Sequence, residues 1–375
     1  MDNKEMLQNL RKEIDAADKE FVELFKRRMR ISDEIADVKM KANISVTDTA
    51  REGQVVASAA ALADENASAE EITALMRALI GLSKIRQNSH LFGDTAGNVE
   101  IPVSAPRKIK TVAFQGVTGA WGEQAAISMY PKANYIVCDE FEDVFAAVKA
   151  GQADVGVLPI ENSQNGAVGV VYDLLRKNSC FMVNQSWQTI AQCLLAKPGT
   201  ELADIREIFS HPEGLKQCRR FLLNRNWELT ACRNTAYAAK MVSERADSKG
   251  AAIGSRRAAE AHGLDVLVPD IMDSAANRTR FIAIAAQPIY DESGDTTSIT
   301  FSTAHTAGAL CAVLQTFMTA GINLTRIESR PASADHYRFF ADLQANVLSE
   351  VTRDALKQAA MHCDYFEFLG CYKTK

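Results

Sequence analysis

No proline occurs before Pro102, although the chain has nine. Over the first 92 residues the only weak helix breakers are Gly53 and Gly81, so this segment is expected to be helical. Within it Leu7, Leu10, Ile14, Ala17, Phe21, Leu24, Arg28, Ile31, Ile35 and Val38 follow one another in unbroken steps of three and four. That is the spacing of one helix face. Nothing stops the helix before about Asn43, and at about 1.5 Å per residue it forms a rod of roughly 50–60 Å. A lone domain of roughly ninety residues has a radius of gyration of about 12 Å and cannot cover such a stripe. The stripe is expected to meet a second copy, in an intertwined or coiled homodimer or a dimer of dimers.

Beyond this segment the pattern changes. Residues 93–107 (GDTAGNVEIPVSAPR) mix glycine, proline and small polar residues without a period and read as a linker. From residue 108 to 287 short β runs alternate with helical stretches: KTVAFQG, NYIVCD, ADVGVLPI, CFMVNQS, GAAIG, DVLVPD and RFIAIAAQ. Such alternation predicts α/β layers with mainly parallel sheets. After a second linker at 288–296, the remaining residues to 375 read β-α-β-β-α-β, a ferredoxin-like order.

The net charge of −5 is spread without blocks, which argues against nucleic-acid or membrane-surface partners. No apolar run reaches about 18 residues and none lies early enough for export, so a cytoplasmic protein is expected. The eight cysteines are scattered without C-x-x-C and the six histidines are isolated. Reduced thiols, no metal centre and no cofactor are the expectation.

Arg28 falls on the apolar stripe itself, where a cation is costly unless paired. A polar residue setting register in a dimer seam is one reading; an anion pocket is the other. Arg11 lies seventeen residues earlier on nearly the same face and Lys39 eleven later. Asp48 and Glu52 make an i,i+4 pair, as do Ser83 and Gln87. With LRKEID at the start, RR at 27–28, DTARE at 48–52 and SKIRQ at 83–87, residues 1–92 resemble the all-helical chorismate mutase domain. The resemblance implies that Arg11, from the opposite subunit, and Arg28 bind the two carboxylates of chorismate. It further implies that Lys39 and Gln87 donate to the ether oxygen, Glu52 and Asp48 take the ring hydroxyl, and Ser83 and Arg51 support a carboxylate end. The chemistry suits this arrangement. A concerted pericyclic shift needs no nucleophile, acid or metal, only a held conformer and stabilised charge on the breaking ether oxygen.

The stretch VAFQGVTGAWGEQ at 112–124 reads as strand, glycine turn and helix start, an arrangement that commonly holds an anion. Asp139 lies where a ribose-binding acid belongs, but the first two glycines are separated by two residues, so the dinucleotide fingerprint fails. Polar clusters follow β runs at Glu161-Asn162-Ser163, Ser210-His211 and Thr279-Arg280. Each alone could be a helix cap; together they predict strand ends facing one cleft between two lobes. LPIENSQNGAV, SHPEGLKQC and NRTRF make residues 108–287 resemble prephenate dehydratase, with two α/β lobes like a periplasmic binding protein. By this resemblance Thr279 protonates the leaving ring hydroxyl as carbon dioxide departs. Glu161, Asn162, Ser163, Ser210, Gln217, Arg280 and Phe281 bind or orient prephenate, and the glycine turn receives a substrate carboxylate. His211 is expected to be structural.

GALCAVL at 308–314 and ESRP at 328–331 resemble the two signatures of an ACT domain. The resemblance implies a phenylalanine site using Gly308, Ala309, Leu310, Asn323, Leu324, Glu328, Ser329 and Arg330. The whole chain is expected to take chorismate through prephenate to phenylpyruvate under feedback by phenylalanine. The rivals are a mutase fused to an NAD-dependent prephenate dehydrogenase, and a non-catalytic sensor of aromatic acids.

Overall fold

A computed structural model describes residues 3–42, 44, 46, 48–92, 99–105, 107–274, 276–333 and 336–374. The chain divides into two compact units. One comprises Met1–Val99, Phe301–Ile322 and Glu350–Phe366; the other comprises Glu100–Thr300, Asn323–Ser349 and Glu367–Lys375.

The first unit opens with helix α1 (Asn3–Ala42), 40 residues long and therefore about 60 Å. Helix α2 (Thr49–Ala60) starts at Asp48, whose carboxylate accepts from the Arg51 N–H as an N-cap. Helix α3 (Ala69–Phe92) is begun by a reciprocal pair: Ser68 N–H donates to Glu71 Oε2 and Glu71 N–H donates to Ser68 Oγ. Both α1 and α2 pack on α3. The stripe expected to be covered stays open within the single chain: Ile14 is 61% exposed, and Leu24 and Val38 are each 63% exposed. Ser32 and Ala36, on the flank of this stripe, are the residues α1 buries.

The second unit contains two lobes. In the first, β1 (Thr111–Gln115), α4 (Trp121–Met129), β2 (Asn134–Cys138), α5 (Phe141–Lys149), β3 (Val155–Asn162), β4 (Gly166–Ala167), α6 (Gly169–Asn178) and β5 (Phe181–Thr189) follow in order. The chain then crosses to the second lobe: β6 (Cys193–Ala196), β7 (Glu207–Ser210), α7 (Pro212–Gln217), α8 (Arg219–Leu222), β8 (Glu228–Ala231), α9 (Thr235–Glu244), β9 (Gly250–Gly254), α10 (Arg256–His262) and β10 (Asp265–Val268). It returns with β11 (Arg278–Ala285), which inserts between β3 and β5 to give the sheet order β2-β1-β3-β11-β5. The second sheet runs β10-β6-β9-β7-β8.

The expectation of mainly parallel sheets needs correction. β11 is antiparallel to both neighbours, and β6 is antiparallel to β9 and β10. Helical crossovers make the β1–β2, β1–β3, β7–β8 and β7–β9 pairs parallel, whereas the strands that carry the chain between lobes run the other way. Strands β6 and β8, of four residues each, are absent from the β runs read in the sequence. They are too short to show a period.

The C-terminal strands are β12 (Thr296–Ser302), β13 (Leu324–Ser333), β14 (His336–Leu343) and β15 (Tyr365–Tyr372), with α11 (Ala309–Thr319) between the first two and α12 (Glu350–Ala360) before the last. Their order, β13-β14-β12-β15, is that of the expected β-α-β-β-α-β unit. Within the second unit this sheet closes over one face of the first lobe. Phe340, Leu369 and Tyr372 share a buried core with Ile282, Ile284, Met182 and Tyr172. Gly370, at φ +146°, lies so close to the Met182 backbone that a β-carbon would collide with it. Of the linker expected at 93–107, residues 93–98 and 106 lie outside the described residues, and the others carry neither helix nor strand.

Candidate active sites

A cavity of about 430 Å³ lies among the three N-terminal helices, lined by Arg28, Lys39, Asp48, Arg51, Glu52, Ser83 and Gln87 among others. Seven of the eight residues read from the first segment thus meet in one place. Arg11 is the exception: seventeen residues from Arg28 on a straight helix, it stands about 25 Å away along the axis and is exposed. Arg28 donates to the Leu79 carbonyl at 2.8 Å and to Ser83 Oγ. Both partners are neutral, and burial alone pulls its pKa below the ordinary arginine value. Lys39 Nζ donates to the Val46 carbonyl at 2.6 Å. Gln87 is 7% exposed and its Oε1 has no hydrogen-bond partner, a costly arrangement unless a ligand completes it. Asp48 is also the α2 cap.

Two cavity residues were missed. Lys84 pairs with Glu52 at 3.1 Å, and Arg27 joins the lining. Five cations (Arg27, Arg28, Lys39, Arg51, Lys84) face two carboxylates (Asp48, Glu52), so the cavity suits a dianion. Both missed residues stand inside the quoted RR and SKIRQ runs, which is the signal that could have found them.

One donor of the glycine turn is already taken. Gly119 N–H donates to Glu123 Oε2 at 2.7 Å, and Glu123 is 7% exposed with Arg257 at 3.5 Å. A carboxylate of the chain itself thus takes that one donor. Gly119, at φ +90°, has no room for a β-carbon, which would stand 2.6 Å from Ala258 Cα. The glycine therefore lets the two lobes approach, and Ser255 Oγ donates to the Gly119 carbonyl at 3.1 Å in the same contact.

The Pro-Ile-Glu-Asn and Thr-Arg-Phe runs are cross-strand partners. Thr279 pairs with Asn162, Arg280 with Glu161, and Phe281 with Pro159, leaving Ile160 as an extra residue. Proline cannot donate to a ladder, and the bulge falls at Pro159 as that requires. Partners leave the same face and neighbours alternate, so Asn162 and Thr279 share one face while Glu161 and Arg280 share the other. Asn162 Nδ2 donates to Thr279 Oγ1 at 2.9 Å and to Asn277 Oδ1 at 2.8 Å. Its own Oδ1 accepts from the N–H groups of Gln164 and Asn165. Asn277, fully buried with Nδ2 unpartnered, was missed although it opens the NRTRF run.

The other expected dehydratase residues have the following surroundings. Arg280 is 5% exposed and donates to Gln185 Oε1 at 2.6 Å, Asp342 Oδ2 at 2.6 Å and the Tyr372 hydroxyl at 2.9 Å. Burial works against its charge, but Tyr372 and Asp342 outweigh it and the net shift is upward. Glu161 pairs with Arg326 at 2.9 Å on the same face. Phe281 is 3% exposed within the core beneath β11. Ser163 clips the backbone, donating to the Ala276 carbonyl and accepting from the Arg278 N–H. Ser210 is fully buried and donates to the Ile253 carbonyl at 2.9 Å, holding β7 near β9. Gln217 is half-buried, with its backbone carbonyl held by the Asp273 N–H. His211 caps α7, its Nδ1 accepting from the Glu213 N–H, and burial lowers its pKa.

Of the expected effector residues, Gly308 (φ +88°) is the N-cap of α11, followed by Ala309 and Leu310, in the first unit. In the second unit, Asn323 Nδ2 donates to Gln344 Oε1 at 3.4 Å and Leu324 opens β13. Glu328 lies 3.7 Å from Arg326. Ser329 is exposed, and Arg330 packs on Gly169. Among the described residues no helix is long and apolar enough to cross a membrane, and no group of acids, histidines and cysteines is arranged to hold a metal.

A cationic cavity in a helical unit, followed by a separate two-lobed α/β unit, is the frame of a two-centre enzyme acting on small anions. Residues 10–88 match the chorismate mutase type II family and residues 112–289 the prephenate dehydratase family. The chain is 31% identical to the bifunctional chorismate mutase/prephenate dehydratase of Aquifex aeolicus, over 98% of each. Among solved structures it resembles prephenate dehydratase in complex with L-Phe from Arthrobacter aurescens (30% identity, TM-score 0.65, 70% of this chain and 90% of that one). It resembles equally well a protein described as GqqA, a novel type of quorum quenching acylase (32%, TM-score 0.65, 71% and 98%). The chain belongs to the bifunctional chorismate mutase/prephenate dehydratase family, and it carries both activities on the route to phenylalanine. A dehydratase, rather than a nicotinamide-dependent dehydrogenase, occupies its central segment.

Proposed function

We propose that the N-terminal cavity is the mutase centre, with Arg28, Lys39 and Gln87 as the cations and donors that hold the dianion and its ether oxygen. Glu52, paired with Lys84, and Asp48 then face the ring hydroxyl, while Ser83 and Arg51 support a carboxylate. A second copy supplies Arg11 across the exposed α1 stripe, so the working assembly is a homodimer or a dimer of dimers. The observation that carries this reading is the surplus of cations around one cavity that gathers seven of the eight expected residues.

In the second unit Thr279 is the acid of the dehydratase reaction. Because Asn162 donates to its oxygen, the threonine proton is directed away from Asn162 and is available to a departing hydroxyl. Residues 296–375 form a phenylalanine-responsive ACT domain, in which Gly308, Ala309, Leu310, Asn323, Leu324, Glu328, Ser329 and Arg330 contact the effector. Support comes from the strand order and from the related dehydratase solved with L-Phe. A cytoplasmic location fits small soluble substrates. Incubation with chorismate alone, with prephenate and phenylpyruvate both quantified, tests the two centres together. Thr279→Ala should let prephenate accumulate, and unchanged phenylpyruvate output would remove Thr279 from its role.

A further inference from the structure

Behind the Thr279 strand, two arginines are exchanged between the first lobe and the C-terminal sheet. Arg280 leaves β11 to meet Asp342 on β14 and Tyr372 on β15. Ser298 on β12 completes that buried cluster, donating to Asp342 Oδ1 at 2.5 Å. In the opposite direction Arg326 leaves β13 and its Nε meets Glu161 Oε2 at 2.9 Å. Glu161 and Arg280 are cross-strand partners, and their chain neighbours Asn162 and Thr279 are the hydrogen-bonded pair on the other face.

Arg326 is divided between two acids. Its Nε holds Glu161, its Nη2 lies 3.7 Å from Glu328 Oε2, and its Nη1 donates to the Tyr172 hydroxyl. The side chain is 14% exposed and lies 5.3 Å over the Tyr172 ring. One of its carboxylates adjoins Asn162; the other opens the E-S-R-P run. A guanidinium has a fixed fork, so a change in one partner alters its geometry toward the other.

We propose that Arg326 is a positioning residue for the dehydratase centre, fixing Asn162 and hence the Thr279 hydroxyl through Glu161, and that Glu328 transmits effector occupancy by way of the same guanidinium. The proposal rests on the reading of Asn162–Thr279 as the dehydratase centre and of residues 328–330 as effector contacts. It makes Arg280 the fixed pivot and Arg326 the adjustable one, since Arg280 is enclosed by partners on all sides.

The test is steady-state turnover of supplied prephenate by the full chain, with and without phenylalanine, alongside calorimetric phenylalanine binding. Arg326→Ala should lower kcat about tenfold or more, as expected when a charged hydrogen bond is lost. It should also abolish inhibition while phenylalanine still binds. Arg326→Lys, which can hold one acid as a point charge but cannot fork between two, should restore most of kcat and leave inhibition blunted. Glu161→Gln should reproduce the kcat loss, and the double variant Glu161→Gln/Arg326→Ala should lose no more than either alone. Wild-type kcat and inhibition in Arg326→Ala would overturn the proposal, as would loss of phenylalanine binding, which would place Arg326 in the effector site. Thr279→Ala run in parallel separates the two failures. Normal turnover there displaces the dehydratase centre, whereas normal turnover in Arg326→Ala alone displaces the positioning role.

Discussion

Asn162 Nδ2 lies 2.9 Å from Thr279 Oγ1 and donates to it. The amide cannot be turned around, because its oxygen is occupied by the N–H groups of Gln164 and Asn165. The Thr279 hydroxyl is thus held as an acceptor on the side of Asn162. Asn162→Ala should lower dehydratase kcat by about 10²–10⁴, the range typical of general-acid catalysis, with Thr279→Ser far less affected than Thr279→Ala. Equal losses in the serine and alanine variants would show that the hydroxyl proton is not used.

Arg28 should dominate the front cavity. Arg28→Ala is expected to lower mutase kcat about 10²–10³-fold, as for removal of one preorganised donor, with dehydratase turnover of supplied prephenate unchanged. Chorismate consumption and prephenate turnover, measured separately on the same preparation, decide this.

The exposed stripe on α1 gives a prediction about assembly. Ile14→Asp places a charge where the side chain is 61% exposed in the single chain, so a lone copy should tolerate it. If a second copy covers the stripe, sedimentation should show dissociation, and mutase activity should fall with the lost Arg11. An assembly unchanged in size would place the interface elsewhere.

Gly119→Ala should force the lobes apart, because its β-carbon would stand 2.6 Å from Ala258 Cα and φ is +90°. Overpacking of this kind costs about 1–3 kcal/mol. Dehydratase activity should fall and mutase activity persist.

His211 makes the second unit sensitive to acid. Burial lowers its pKa, with Glu213 partly opposing the shift, so the unfolded chain takes up the proton first as pH falls. Its contribution to stability is complete above the unfolded value, about 6.5, and is lost as pH drops through the lowered native value. His211→Asn keeps a capping side chain and removes the titration. The Tm difference between about pH 7.5 and pH 5 should shrink in this variant, and an unchanged difference would assign the acid sensitivity to other groups.

The long helix, the cavity residues and the C-terminal strand order were legible because each rests on period or spacing. Lys84 was not, since its entry into the cavity depends on how α2 crosses α3. The separate face taken by Glu161 and Arg280 was overlooked for a simpler reason. In a strand, neighbours leave opposite faces, so Thr279 and Arg280 could not both line one cleft, and the alternation alone would have separated them. Glu123 shows a different limit: a glycine turn at a helix start announces an anion, but the sequence does not say whether that anion is a ligand or a residue four positions on. Asp342 and Arg326 lie far from the motifs they serve, and nothing local connects them.

The late arrival of β11 has a consequence for synthesis. A ribosome completes β3 and β5 well before the strand that must lie between them, and at roughly 5–20 residues per second the intervening lobe takes several seconds to emerge. Through that interval the nascent polypeptide presents two unpaired edges, and the threonine on which dehydration is proposed to depend is installed only when translation has passed Ala285.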